Sequence, residues 1–147
     1  MALRSFFIAG MLAVLVGCAA PGKVATPLPL DLNITAPAPN MPKEAAAFSG
    51  TWVGLWEGKL EHTLVVEKIE GASATTVYSW GTEPSWGINR PGFTRQTGTI
   101  EPGGLLRVKL ANGAEVVYKL APDQQSLNGQ YTLRGNVTLG AFRRPQP

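Results

Sequence analysis

Cys18 is the only cysteine of the 147-residue chain, and Gly17 alone separates it from an uncharged apolar run from Phe6 to Val16. A lone thiol has no partner for an intramolecular disulfide and too few companions for a metal. Its place in the chain suggests other chemistry. Arg4, the apolar run and the small Gly17 have the three-part build of a secretory signal that ends at a cleavage site. The run, roughly 11 residues long, is too short to cross a bilayer as a helix, which takes about 20. Cys18 thus stands where such a signal is expected to end.

Elsewhere the groups able to do chemistry are few. The single histidine, His62, lies between Glu61 and Thr63. Catalytic triads assemble in space rather than in sequence, so residue order alone leaves open a small hydrolase using His62. No Gly-x-Ser-x-Gly element supports it. One histidine among scattered carboxylates falls short of the three or four convergent ligands of a zinc site. Glu57, Glu61, Glu67, Glu70, Glu83, Glu101 and Glu115 read as solvated surface, and their spacing marks no pair held about 5 to 9.5 Å apart across a sugar-sized cleft. The expectation is a non-enzymatic protein with no catalytic residues, no metal and no cofactor. Glu83, Trp86 and Arg90 are different, because they share the longest connection of the domain, Gly81–Gly92, among turn-forming Gly and Pro. Loops of this size often carry function, which makes these three the candidate ligand- or partner-binding residues. The alternative is that Trp86 folds back to cap one end of the domain.

The elements that must carry these residues fall into three parts: a signal over 1–17, a linker over 18–47 and one domain over 48–147. Pro21, Pro27, Pro29, Pro37, Pro39 and Pro42 punctuate the linker, which has no periodic apolar face. Such a segment reads as a tether of partly polyproline II character. The domain, about 100 residues, suffices for one modest core. Turn residues recur between short runs rich in Val, Leu, Thr and aromatics. They predict strands at Gly50–Glu57, Glu61–Ile69, Ala74–Trp80, Phe93–Ile100, Leu105–Leu110, Ala114–Leu120, Leu127–Arg134 and Val137–Phe142. Asn112-Gly113 suits a type I′ hairpin turn, and Gly135-Asn136 offers the same positive-φ tolerance in reverse order.

Alternation gives these strands one apolar face. Leu106, Val108 and Leu110 oppose Arg107 and Lys109, and Val116, Tyr118 and Leu120 oppose Glu115 and Lys119. Leu64-Val65-Val66 breaks the pattern and is expected to be covered on both sides by the linker or a loop. Eight short antiparallel strands in succession predict an all-β fold, a small up-and-down barrel closed on itself; a β-sandwich or partly open barrel is the alternative. Its interior takes either side chains alone or one small ligand.

Leu15-Val16-Gly17-Cys18 resembles the lipobox of bacterial lipoproteins, in which the cysteine thiol becomes a diacylglyceryl thioether. The resemblance covers residues 1 to about 22. It implies lipidation at Cys18 and a membrane held through the N-terminal lipid, since multiple acyl chains anchor stably where one is marginal. Ala19, in place of the aspartate that tends to retain such proteins at the inner membrane, implies the outer membrane of a Gram-negative cell, with the domain facing the periplasm.

Phe48-Ser49-Gly50-Thr51-Trp52 resembles the start of the lipocalin and wider calycin families, whose first strand carries a Gly-x-Trp element. There an arginine on the last strand lies across the tryptophan ring and closes the barrel. The resemblance implies a partner for Trp52 in Arg143 or Arg144, and Arg143 is chosen because it continues the face of Val137, Leu139 and Ala141.

Thirteen basic and ten acidic residues leave a net charge of +3. That is too mild, and too scattered, for a nucleic-acid-binding stripe. Arg134, Arg143 and Arg144 read as a solvated barrel rim. Together these features predict a periplasmic lipoprotein that serves as a binding or interaction module of the cell envelope. An envelope protein and a small apolar ligand, carried in lipocalin fashion, both remain open as partners.

Overall fold

The computed structural model describes residues 26–147. Cys18 and the rest of the signal and lipobox lie outside the described residues. A one-turn helix α1 (Lys43–Ala46) precedes strands β1 (Gly50–Trp56), β2 (Leu60–Glu70), β3 (Ser73–Trp80), β4 (Gly92–Glu101), β5 (Leu105–Lys109), β6 (Glu115–Leu120), β7 (Ser126–Leu133) and β8 (Asn136–Arg143). Each strand pairs antiparallel with the next, and β8 returns to β1, so the sheet is a closed barrel.

Two of the hairpins differ from the sequence expectation. Leu133 pairs with Asn136, and the intervening Arg134 and Gly135 both have positive φ, so the tight turn is Arg134-Gly135 and Asn136 already belongs to β8. Between β5 and β6 only Gly113 has positive φ, while its N–H bonds to Leu110 O. This is a three-residue loop, a type I turn followed by a left-handed glycine, rather than type I′.

Half of the barrel is filled. Trp52, Leu64, Leu106, Val116, Tyr118 and Leu127 are buried within it. One end is closed by the segment leading into β1: Phe48 is fully buried, and the Trp52 indole N–H donates to Phe48 O at 2.9 Å. Across that end lies an arginine, but it is Arg144 and not Arg143. The Arg144 guanidinium sits 3.6 Å from the Trp52 ring centroid, while Arg143 is exposed and opposite Val53 in register. Val137 and Leu139, though apolar, point outward and are more than half exposed, which inverts the parity expected of β8. Phe142 is the inward residue, so the next inward position is 144.

The proline-rich segment from Thr26 onward lies along the barrel wall. Thr35 N–H donates to Glu67 O (2.7 Å) and Asn33 N–H to Glu67 Oε1 (3.1 Å). Arg95 binds Glu67 and Asp31 together, Ser79 Oγ donates to Pro27 O, and Thr26 and Thr63 share a hydrogen bond of 2.6 Å. Beneath this strap the outward residues Val65, Val77 and Ser79 are wholly buried. The unbroken apolar run Leu64-Val65-Val66 is thus covered on both sides, as its pattern required.

Candidate ligand-binding cavity

The other half of the barrel is hollow. Inward positions of β4 are Gly92, Thr94, Gln96 and Gly98, and those of β8 are Asn136, Thr138 and Gly140. Small and polar residues there leave a cavity of about 450 Å³ that opens at the end bearing the β1–β2, β3–β4, β5–β6 and β7–β8 connections. That volume falls within the usual range for small-molecule sites, about 300–1,000 Å³. Five of its lining residues are aromatic, Trp56, Tyr78, Trp80, Trp86 and Tyr131, and Leu60, Ile88 and Leu110 add aliphatic surface. No residue lining it carries a charge.

The floor is an aromatic layer. Trp56 packs edge-on to Phe142 (centroids 4.9 Å apart), and His62 lies against Tyr78 (4.2 Å) and Phe142 (5.1 Å). Trp56 fits because its cross-strand neighbours are glycines: a Cβ on Gly129 or Gly140 would come within 2.8 Å of the indole. His62 is buried with both ring nitrogens engaged. Nδ1–H donates to Ser79 O and Nε2 accepts from Tyr118 Oη, each at 2.7 Å. Those partners fix one neutral tautomer. Burial lowers its pKa to about 3, against a smaller opposing effect of the Ser79 bond. The same burial pushes the Tyr118 and Tyr78 hydroxyls upward. A general base would have to break these contacts, so the geometry gives the hydrolase reading of His62 no support. Among the described residues no three metal-ligating side chains converge.

One polar group on this floor is left over. The indole N–H of Trp52 is bonded to Phe48 O and that of Trp80 to Arg90 O (3.1 Å). Trp56 Nε1, in a side chain only 1% exposed, makes no hydrogen bond of normal geometry. It lies close enough to the Tyr78 oxygen to ease that phenol's ionisation slightly, a minor influence beside burial. Because the benzo edge of the ring abuts Gly129 and Gly140, the N–H edge is turned the other way, toward Tyr78, and the nitrogen itself is closed off from the cavity. An unmet buried donor costs about 1–3 kcal/mol.

The three residues singled out on the Gly81–Gly92 loop part company. Trp86 ends a 3-10 turn (Pro84–Trp86) at the mouth, lines the cavity and remains 38% exposed. Glu83 caps that turn, accepting from Ser85 N–H and Oγ–H. Arg90 contributes its backbone carbonyl to Trp80, and its side chain is not among the cavity-lining groups. Thr94, Gln96, Asn112 and Thr138 line the wall and were missed from sequence. The signal that could have found them is the run of glycine and polar residues at the inward positions of β4, where a packed barrel would carry large apolar ones.

No protein-family model matches the chain, and no curated protein is similar enough in sequence to count as a relative. Among solved structures, a de novo designed, fluorescence-activating β-barrel is similar in fold, with a TM-score of 0.52 at 19% sequence identity, over 71% of this chain and 100% of that one. At that identity the likeness concerns the fold.

Proposed function

We propose that this protein is a lipid-anchored, non-enzymatic binding module of the bacterial envelope whose barrel holds one small, neutral, largely planar molecule. The observation that carries the reading is the uncharged cavity walled by Trp80, Trp86, Tyr131 and neighbouring apolar side chains, with Thr94, Gln96, Asn112 and Thr138 among them. A ligand carbonyl or ring nitrogen would bond to the polar wall groups, while stacking and apolar contact with the walls supply most of the affinity. The absence of lining charge selects against anions and cations, which would be desolvated without a counterpart. The lipobox resemblance and Ala19 support an outer-membrane address, with the domain in the periplasm.

Native mass spectrometry of protein purified from its own cells tests this. The expected result is a bound species of a few hundred daltons that is lost in Thr94→Trp, which fills the cavity from its wall; Gln96→Phe serves as a second filling variant. A bound species retained in both folded variants would place the ligand elsewhere.

A further inference from the structure

The strap has a direction. From α1 at the closed end it climbs the outside of the barrel, meeting Glu67 first and Thr63 last, and β2 runs from the open mouth at Leu60 to the closed end at Glu70. The first described residue, Thr26, is therefore held on the mouth half of the wall. About eight residues separate it from Cys18, at most about 30 Å of extended chain. Exposed apolar side chains lie on the strap itself, at Leu28, Leu30 and Ile34, and toward the mouth. Trp86 stands on the rim, Phe93 on the outer face next to the strap, and Val137 and Leu139 on the mouth half of β8, across the barrel from β4. Each of these four is at least 38% exposed. Charges in the mouth turns are mixed, with Lys59, Arg90 and Arg134 beside Glu57 and Glu83.

From this arrangement we infer that the open mouth faces the membrane carrying the chain's own lipid anchor, with Trp86, Phe93, Val137 and Leu139 meeting the lipid surface. The inference rests on the anchor at Cys18. The strap leaves about eight residues of tether and starts them from the mouth half of the wall, and tryptophan at such a boundary places its apolar body in lipid and its N–H in water. Mixed charge makes the contact depend on apolar burial rather than on anionic lipid. A ligand then passes between bilayer and cavity without crossing bulk water.

The test uses full-length acylated protein reconstituted in phosphatidylethanolamine–phosphatidylglycerol vesicles with a headgroup-attached energy acceptor. A donor dye is placed on Lys59→Cys, in the mouth turn, or on Gln125→Cys, in an exposed turn at the closed end. Transfer from position 59 should exceed that from 125 about twofold or more, because the strands hold the two ends roughly 20 Å apart. Added salt should change it little. Equal transfer from both positions, or higher transfer from 125, overturns the inference. So does weak transfer from both, the pattern of a protein partner seated on the mouth. Mass spectrometry of the same sample reads the anchor separately, and an unacylated Cys18 would remove anchor and orientation together.

Discussion

The guanidinium of Arg144 lies 3.6 Å from the Trp52 ring centroid and donates to Ala47 O at 2.6 Å and Ser49 O at 2.7 Å. One side chain thus joins the end of β8 to α1 and to the start of β1. Burial lowers its pKa from the ordinary arginine value, so the site holds this charge by hydrogen bonds and the ring face together. Arg144→Met should destabilise the barrel by about 1.5–3 kcal/mol, since carbonyls lose a charged donor. Substitutions at Arg144 and Trp52 should be non-additive by about 0.5–2 kcal/mol in a double-mutant cycle followed by urea unfolding. Arg143→Ala should stay within about 0.5 kcal/mol of the native protein.

Gly129 and Gly140 face each other across β7 and β8 and admit the Trp56 and Phe142 rings. A Cβ at either would lie 2.5 Å from Phe142. Gly140→Ala should therefore cost about 1–3 kcal/mol through overpacking, measured as a lower urea midpoint. Gly58→Ala meets no neighbouring atom, though it carries the strain of positive φ.

The strands were legible in the sequence because alternation and turn residues agreed, and each predicted strand lies within one residue of the observed one at either end. The barrel followed from strand number and hairpin order. The strap followed only in part: Leu64-Val65-Val66 announced a double covering, while prolines without periodicity gave no sign that they would dock by way of Asp31, Glu67 and Arg95. β8 misled because Val137 and Leu139 are apolar yet outward, which inverted the parity and pointed to Arg143. The cavity was written in β4 and β8 as small and polar inward residues, a weaker signal than the aromatics that surround it. Trp56 could not be distinguished from Trp52 by type; only the partner of each N–H separates them.

Acid should weaken the fold through His62. Its folded pKa is lowered from 6.5 to about 3, so the unfolded chain takes up a proton below pH 6.5 that the native state refuses. The stability is complete above that pH and lost as pH falls toward 3. Glu67, with an ordinary value of 4.5, and Asp31, at 3.8, are held lower by Arg95 and add to the loss only nearer those values. Between pH 6.5 and 4.5 the decline, on the order of 2 kcal/mol, therefore belongs to His62. Denaturant titrations across that window should show the slope in the native protein and its absence in His62→Gln.

Arg95 holds the strap by bridging Asp31 and Glu67. Arg95→Ala should raise hydrogen exchange at the Asn33 and Thr35 amides, which bond to Glu67, while amides of β6 and β7 keep their protection. In the native protein added salt should move exchange at Asn33 in the same direction, because the Asp31 side of the bridge is exposed.

Direct titration with a neutral aminonaphthyl ketone dye, followed by its emission shift, tests the ligand reading most closely when paired with the carbonyl-free analogue of the same dye. The ketone should bind in the cavity about tenfold more tightly than the analogue, the worth of one hydrogen bond to a polar wall group among Thr94, Gln96, Asn112 and Thr138. Thr94→Trp, which fills the cavity from its wall, should abolish binding of both dyes. Equal affinity for both dyes in the native protein would contradict a polar contact within the cavity while leaving the cavity as a site, and no binding of either dye would contradict the cavity itself.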